Sequence, residues 1–338
     1  PPSPVANPVL TLVEKRLGAH IVPRVRQHVL GLAKDFWKDG DQNPVVIKFG
    51  GLKNKKDKTG NEATQKTTAA NQQHAAGSSA AAAHNLNLWH AIPAEISEKM
   101  FGDGFVTPGG PTITDLLIKP LGLNKEMNVL DLSAGLGGRI RKIATEYGSY
   151  ITGYEPDPGV AKRGMELSVK LGKAKHAPIE HYNPEDFTLN RSYDCVIARE
   201  TIYRVKDKIK FFKMLGSHMK PRAHLTFTDY IVNPEDRDKP AVVAWCGFET
   251  LAAPMGLVEM GEYCGKAGIN LRVNEDMSDY YKKEVAKGLQ RLAGFLASSV
   301  VPDAETKAAL RKRIDTWTHR LAAMEQGMKF YRFYGTKL

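Results

Sequence analysis

A glycine-rich turn follows an apolar segment near the middle of the 338-residue sequence. Residues 129–138 read VLDLSAGLGG, which puts Asp131 at the end of a predicted strand and Gly135 and Gly137 in the turn before a predicted helix. Glycine tolerates positive φ and lets a ligand approach the backbone closely. The start of the helix offers free amide hydrogens to a carboxylate. The turn is therefore a candidate site for a ligand that carries an acidic group.

A second acidic side chain ends the next predicted strand. Glu155 follows Asp131 by 24 residues, and an acid in this place can accept hydrogen bonds from both hydroxyls of a ribose. The dinucleotide pattern GxGxxG is not met, because Ile140 occupies the place of its last glycine. An adenosine-containing cofactor other than a nicotinamide dinucleotide is favoured. The alternative is that Glu155 is a surface residue at the cap of the helix that follows.

The elements that would position these residues alternate between strands and helices beyond residue 86. Strands are predicted at 127–132, 150–154, 177–181, 193–198, 225–231, 270–273 and 329–337, and helices at 138–147, 158–171, 209–219, 258–267, 280–298 and 304–327. This alternation predicts an α/β fold of the doubly wound Rossmann-like type, with a seven-stranded, mostly parallel sheet. The segment 329–337 is expected to be the closing strand of the sheet.

Composition divides the chain into three parts. Residues 1–51 predict an N-terminal amphipathic helical extension, in which Pro23 separates two helices. Residues 52–84 are poor in large apolar side chains and predict a flexible low-complexity linker, and residues 85–338 form the α/β domain. Basic residues flank the apolar stripes of the extension, so that it would pack on the main domain or, alternatively, lie on an anionic membrane surface.

Charge and cysteine content narrow the classes of function. The formal net charge is +11, of which residues 1–83, with 12 Lys/Arg and 6 Asp/Glu, carry +6. The remaining 255 residues carry only +5. The three cysteines show no CxxC spacing, so neither a zinc site nor a disulfide framework is predicted, and the protein is expected to be cytoplasmic, with peripheral membrane contact as an option.

The longest apolar stretch is too interrupted to span a membrane. It covers residues 241–260 and is broken by Glu249 and Pro254. A buried core helix is predicted there.

Three further segments, taken with the glycine-rich turn, carry a family resemblance. They are FGDGFVTPGG at 101–110, RETIYRV at 199–205 and TDY at 228–230. With them the sequence resembles the class I S-adenosylmethionine-dependent methyltransferases, and among these the phosphoethanolamine N-methyltransferases and their relatives, over about residues 97–338.

The resemblance implies a set of cofactor-binding residues. Arg199 would lie near the methionine part of S-adenosylmethionine, and Tyr182 or Asn183 near its adenine. The other implied contacts are Thr107, Asp131, Ser133, Gly135, Gly137 and Glu155.

The acceptor side is predicted from the segments that follow the fourth and fifth strands. Candidates for catalysis at the pocket rim are Glu200, Tyr203, Asp229 and Tyr230. The catalytic Tyr and His of the family fall on Trp89 and Arg204 here, which argues against phosphoethanolamine as the acceptor. Arg204 would suit a phosphate or carboxylate on the acceptor, and an ion pair with Asp207 is the alternative.

The function expected from these features is N-methylation of a small amine or a phospholipid-headgroup-type acceptor. A C- or O-methyltransferase acting on a lipid or quinone is one alternative. Another is a non-catalytic protein that keeps the cofactor fold and binds an anionic partner. A nucleic-acid substrate is disfavoured, because residues 198–201 read ARET where nucleobase amino methylation requires an Asn/Asp-Pro-Pro-aromatic segment.

Overall fold

A computed structural model describes residues 93–297 and 304–338 of the chain. The predicted extension at 1–51, the predicted linker at 52–84 and the candidate substrate residue Trp89 lie outside the described residues, and these remain predictions.

The described elements alternate as the sequence predicts. The strands are β1 Asn128–Asp131, β2 Tyr150–Glu155, β3 Ile179–His181, β4 Tyr193–Arg199, β5 Met219–Ile231, β6 Ile269–Asp276 and β7 Lys329–Lys337. The helices are α1 Pro93–Phe101, α2 Gly110–Ile118, α3 Gly138–Glu146, α4 Pro158–Lys170, α5 Lys208–Ser217, α6 Pro240–Phe248, α7 Leu257–Lys266, α8 Ser278–Ala297 and α9 Ala304–Met324. Short 3₁₀ turns include Ile202–Arg204.

The strands of the described residues form one seven-stranded sheet in the order β3-β2-β1-β4-β5-β7-β6. The pairs from β3 to β5 are parallel, whereas β7 is antiparallel to both β5 and β6. The prediction of a mostly parallel, Rossmann-like sheet is confirmed. The last strand does not close the sheet at an edge, however, because it lies between β5 and β6.

The strand register brings the candidate site residues to one edge of the sheet. Asp131 pairs with Gly153 of β2 and with Ile197 of β4, and Arg199 pairs with Thr228 of β5. Because these strands are parallel, their carboxyl ends meet, and the segments that follow them adjoin. This is the edge at which open α/β sheets bind ligands.

Residues 241–260 do not form the single core helix that the sequence predicts. They are divided between α6 and α7, because α6 ends at Phe248 and α7 begins only at Leu257 after Gly256. The predicted helix at 209–219 also ends early, since β5 already begins at Met219.

Four helices cover the carboxyl edge of the sheet, and we call α1, α6, α8 and α9 the helical cap. α8 and α9 are inserted between β6 and β7; α8 packs on α1, and α9 packs on α6. The cap shares one apolar core with the 3₁₀ turn after β4 and the end of β5, in which Tyr203, Tyr230 and Trp317 are fully buried. Within the described ranges, no helix is both long and apolar enough to cross a bilayer.

Candidate functional site

The glycine-rich turn adopts a conformation that excludes side chains at two positions. Gly135 and Gly137 have φ values of 56° and 85°. A Cβ added at Gly137 would lie 2.3 Å from Nη1 of Arg141 and 2.7 Å from Cδ1 of Ile179. No side chain caps the start of α3, which follows the turn. The amide of Gly138, the first residue of α3, donates to the carbonyl oxygen of Gly104 at 3.0 Å. The predicted approach of a ligand to this helix N-terminus remains a prediction.

Asp131 lies beneath the turn and is fully buried. Its Oδ2 accepts a hydrogen bond from Nε of Arg139 at 2.7 Å, and its Oδ1 accepts from Nη2 of Arg139 at 2.8 Å. The amide of Ser133 donates to the same Oδ1 at 2.9 Å. Ser133 Oγ in turn accepts from the amide of Arg199 at 2.7 Å. Asp131 and Ser133 thus hold β1, the turn and β4 together; their predicted contact with a cofactor remains a prediction.

Glu155 reaches from the end of β2 to the same turn. Its Oε2 accepts from the amide of Gly135 at 2.9 Å, and its Oε1 accepts from the amide of Asp157 at 3.1 Å. Burial raises the pKa of this carboxyl to about 7, against the effect of these two amides and of Arg204. Glu155 is half-buried, so that hydroxyls of a bound ribose can reach its carboxylate.

The two residues predicted near an adenine differ in exposure. Tyr182 is buried, and its hydroxyl donates to the carbonyl oxygen of Leu132 at 2.8 Å. Asn183 is exposed, and its Oδ1 accepts from the amide of Glu185. Of the two, only Asn183 has a side chain at the surface.

Arg199 ends β4 and is fully buried with unused hydrogen-bond donors. Its Nη2 donates to the carbonyl oxygen of Pro108 at 2.7 Å, next to the half-buried Thr107, whereas its Nε and Nη1 have no partner. Burial lowers the pKa of this guanidinium to about 10, so it stays charged at neutral pH. A buried guanidinium with two free nitrogens fits the carboxylate of an amino-acid group.

Glu200 follows Arg199 and has a buried acceptor oxygen that receives no hydrogen bond. Its φ is 52°, which is unusual for a residue with a side chain and turns the carboxylate beneath the cap. Its Oε2 accepts from the hydroxyls of Tyr230 and Tyr281, each at 2.9 Å, and from Nη1 of Arg320 at 3.0 Å. Its buried Oε1 has no hydrogen-bond partner and lies 3.9 Å from Nη2 of Arg199.

Tyr203 and Arg204 belong to the same network. The hydroxyl of Tyr203 donates to Oε2 of Glu249 and accepts from Nε of Arg204 at 2.7 Å. Arg204 also lies 3.7 Å from Glu249. The proposed ion pair of Arg204 with Asp207 is therefore replaced by one with Glu249, while Asp207 caps the start of α5 by accepting from the amide of Lys210.

Asp229 has contacts that point to a structural role rather than the predicted catalytic one. It is fully buried at the sheet edge. Its Oδ2 accepts from the amides of Ile202 and Tyr203, and its Oδ1 accepts from the amide of Tyr230. All three donors are backbone groups, and burial raises the pKa of this carboxyl to about 7. Asp229 fixes the 3₁₀ turn that carries Tyr203.

Four residues that complete the hydrogen-bond network were not among the predictions from sequence. They are Arg139, Glu249, Tyr281 and Arg320. Arg320 has the weakest local signal, because it lies in a helix, α9, whose sequence is rich in Lys and Arg. A hint was available in Trp317, since residues three apart share a helix face, and an arginine beside a buried tryptophan requires a polar partner.

Comparisons with known proteins agree with this geometry. Residues 111–271 match the family model described as a methyltransferase domain. Phosphoethanolamine N-methyltransferase 1 of Zea mays is 25% identical over 195 residues, which are 57% of this chain and 38% of that protein. The chain therefore spans well under half of that relative's length.

Two solved structures of Haemonchus contortus phosphoethanolamine N-methyltransferase 2 share the fold. One is a complex with S-adenosyl-L-methionine, with a TM-score of 0.63 at 21% identity over 73% of this chain and 57% of that one. The other is a complex with phosphomonomethylethanolamine and S-adenosylhomocysteine, with a TM-score of 0.63 at 20% identity over 72% of this chain and 57% of that one. The glycine turn, its acidic partners, the sheet order and the matching family model show that the chain carries a class I, S-adenosylmethionine-dependent methyltransferase domain resembling those of the phosphoethanolamine N-methyltransferases.

Proposed function

We propose that this domain transfers a methyl group to the nitrogen of a small amine. The observation that carries the proposal is that two neighbouring residues at the end of β4 each have buried polar atoms without a hydrogen-bond partner. Arg199 has two buried donor nitrogens without a partner, and the next residue, Glu200, has a buried acceptor oxygen without one. An anionic group and an amine bound side by side would satisfy both residues.

Residues around the glycine-rich turn support binding of the cofactor next to Arg199. Arg199 would hold the carboxylate of S-adenosylmethionine, the N-terminus of α3 would face its amino-acid part, and Glu155 would accept from its ribose. When bound, S-adenosylmethionine supplies an already activated methyl group. The protein therefore has mainly to orient the acceptor and exclude water.

Glu200 would bind the amine that accepts the methyl group. An amine N–H donated to its free Oε1 would direct the nitrogen lone pair, and the same oxygen is available for the proton that the amine must lose before attack. An alkylamine with a pKa of about 10 is mostly protonated at neutral pH, so we expect turnover to increase as the pH rises above 7. Tyr230 and Tyr281 would keep the carboxylate in place through its other oxygen.

The test combines a turnover assay with a binding assay. Purified protein is incubated with methyl-labelled cofactor and with ethanolamine, other small amines or anionic liposomes, and S-adenosylhomocysteine affinity is measured by calorimetry. Glu200→Gln should lower amine turnover by about a hundredfold, the scale of losing one proton acceptor, with S-adenosylhomocysteine affinity unchanged. Glu262→Gln, on the exposed side of α7, is the matched control. Label found only in the lipid fraction would contradict the proposal.

A further inference from the structure

Besides Arg199, which is assigned to the cofactor, the guanidinium of Arg320 contacts Glu200, and each of its donors already has a partner. Arg320 is almost fully buried, with 4% of its surface exposed. A guanidinium has five N–H donors. Two nitrogens donate to Glu249, Nε to Oε1 at 2.6 Å and Nη2 to Oε2 at 2.8 Å. The remaining donors reach Glu200 Oε2, the hydroxyl of Tyr230 and the hydroxyl of Tyr203.

Glu249 is the residue that saturates this guanidinium. It binds Arg320 through two parallel hydrogen bonds, the strongest geometry available to an arginine and a carboxylate. Although burial acts to raise the pKa of Glu249, Arg320 and then Arg204 bring it down to about 2. Its carboxylate also accepts from Nε1 of Trp245 at 2.8 Å. Glu249 is thus a permanent anion fixed from three sides.

Aromatic rings hold the guanidinium where Glu249 meets it. The guanidinium carbon of Arg320 lies 4.8 Å from the centroid of the Trp317 ring and 5.1 Å from that of Tyr230. Tyr203 adds a third ring at 5.8 Å. Attraction to ring faces and the enclosing core fix the side chain in this position. Reorienting Arg320 toward an incoming anion would break the pair with Glu249 and leave a carboxylate buried without its partner.

We propose that Glu249 is a specificity-determining residue, an internal anion that occupies Arg320 so that the acceptor site takes amines without a phosphate group. This inference rests on the proposed N-methylation. The site offers a free acceptor oxygen on Glu200 but no free donor on Arg320. It therefore suits an acceptor with N–H groups and no anion, unlike the substrate for which the similar maize protein is named.

The first experiment needs no variant. The complex with S-adenosylhomocysteine is titrated by calorimetry with inorganic phosphate, and turnover of ethanolamine is measured with increasing O-phosphoethanolamine. We expect no heat from phosphate and no competition by the phosphorylated amine. Binding of phosphate to the wild-type complex, or use of phosphoethanolamine as readily as ethanolamine, would overturn the inference.

The second experiment frees the guanidinium. Glu249→Gln keeps one acceptor oxygen and the shape of the side chain but removes the charge, so Arg320 regains a donor and an unpaired charge. Inorganic phosphate should then bind the S-adenosylhomocysteine complex at least about tenfold more tightly than it binds wild type, and Glu262→Gln should show no gain. A folded Glu249→Gln protein with wild-type phosphate affinity refutes the role of Glu249. If the variant fails to fold, the wild-type titrations decide.

Failure of the inference can be distinguished from failure of the proposed function. If phosphate binds Glu249→Gln selectively while no amine is methylated by either protein, the charge arrangement stands and N-methylation is wrong. If wild type methylates phosphoethanolamine in preference to ethanolamine, N-methylation stands and the role of Glu249 is wrong.

Discussion

Two arginines buried at the carboxyl edge of the sheet differ in how completely their donors are used. Arg139 is paired through two hydrogen bonds with Asp131 and also donates to Ser133. Arg199 has one acceptor and two unpartnered nitrogens. A group whose hydrogen bonds are complete supports the fold, and a buried group whose bonds are incomplete is ready for a ligand. The two residues should therefore respond differently to substitution.

Arg139→Ala should destabilise the protein strongly. The substitution leaves the fully buried Asp131 carboxylate without its partner, and breaking a buried pair in this way costs about 3–5 kcal/mol of unfolding free energy. Urea denaturation measures the change. Lys142→Ala, on the same helix in a half-exposed pair with Glu146, should cost at most about 1 kcal/mol. Equal losses for the two variants would contradict the distinction.

Arg199→Met should affect binding more than stability. It removes one hydrogen bond to Pro108, a 3.9 Å contact with Glu200 and two unpaired donors, while Glu200 keeps its hydrogen bond from Arg320. We therefore expect an unfolding free energy within about 1 kcal/mol of wild type. Affinity for S-adenosylhomocysteine should fall roughly tenfold to a hundredfold, which corresponds to the loss of a charge-assisted hydrogen bond. Calorimetry with the surface variant Arg191→Met as control checks both expectations, and unchanged affinity would remove Arg199 from the cofactor site.

Glu155 should make cofactor binding depend on pH near neutrality. Its pKa is raised to about 7, and the ionised form accepts hydrogen bonds from hydroxyls best. Affinity for S-adenosylhomocysteine should therefore increase about tenfold from pH 6 to pH 8, and Glu155→Gln should lack this increase. A pH dependence that persists in Glu155→Gln would assign it to another group, with Asp229 the first to test.

The raised pKa of Glu155 affects the unfolding free energy in the opposite direction from cofactor affinity. Between the ordinary pKa of 4.5 and the raised value near 7, the folded state holds the proton of Glu155 more tightly than the unfolded chain does. The contribution of Glu155 to the unfolding free energy therefore declines as pH rises through this window.

At the scale of elements, Arg320 links α9 to Glu200 and Tyr230 at the carboxyl edge of the sheet. Arg320→Met should remove the hydrogen bonds between α9 and the residues at the ends of β4 and β5. It should also leave Glu200 and Glu249 without the cation that they share. We expect a loss of about 3–5 kcal/mol and faster amide hydrogen exchange in α8 and α9 than in β1 and β4. The exposed Lys312→Ala on the same helix is the control. Uniform acceleration across the sheet would instead mean global destabilisation.

The elements could be predicted from sequence wherever local pattern decides them. The strands and helices from β1 to β4 are found within about two residues of prediction, because apolar runs end in Gly, Pro or Asp residues. The helix predicted at 258–267 matches α7, but the end of α6 at Phe248 was missed because the apolar content of residues 241–260 suggested one continuous helix. Asp131 and Glu155 were identifiable from strand ends, and Arg199 and Glu200 from the family resemblance. Glu249 and Arg320 were not, because most of their hydrogen-bond partners are 46 to 120 residues away in sequence.

At the scale of the whole molecule, cofactor binding should be visible as stability. A ligand that binds only the folded state at one hundred times its dissociation constant adds about 2.7 kcal/mol. S-adenosylhomocysteine should therefore raise the thermal midpoint of wild type, and Glu155→Gln should require a higher concentration for the same increase. A scanning fluorimetry series gives both values. No increase at saturating ligand would exclude the cofactor site.

The place of β7 has a consequence for synthesis of the chain. β7 pairs with β5 on one side and β6 on the other, although the α8–α9 insertion separates it from both in sequence. Until Lys329 and the residues after it leave the ribosome, both neighbouring strands keep an unsatisfied backbone ladder, and such open ladders attract other chains. A nascent polypeptide halted before Lys329 should accumulate in inclusion bodies, even though the whole glycine-rich turn has already been made.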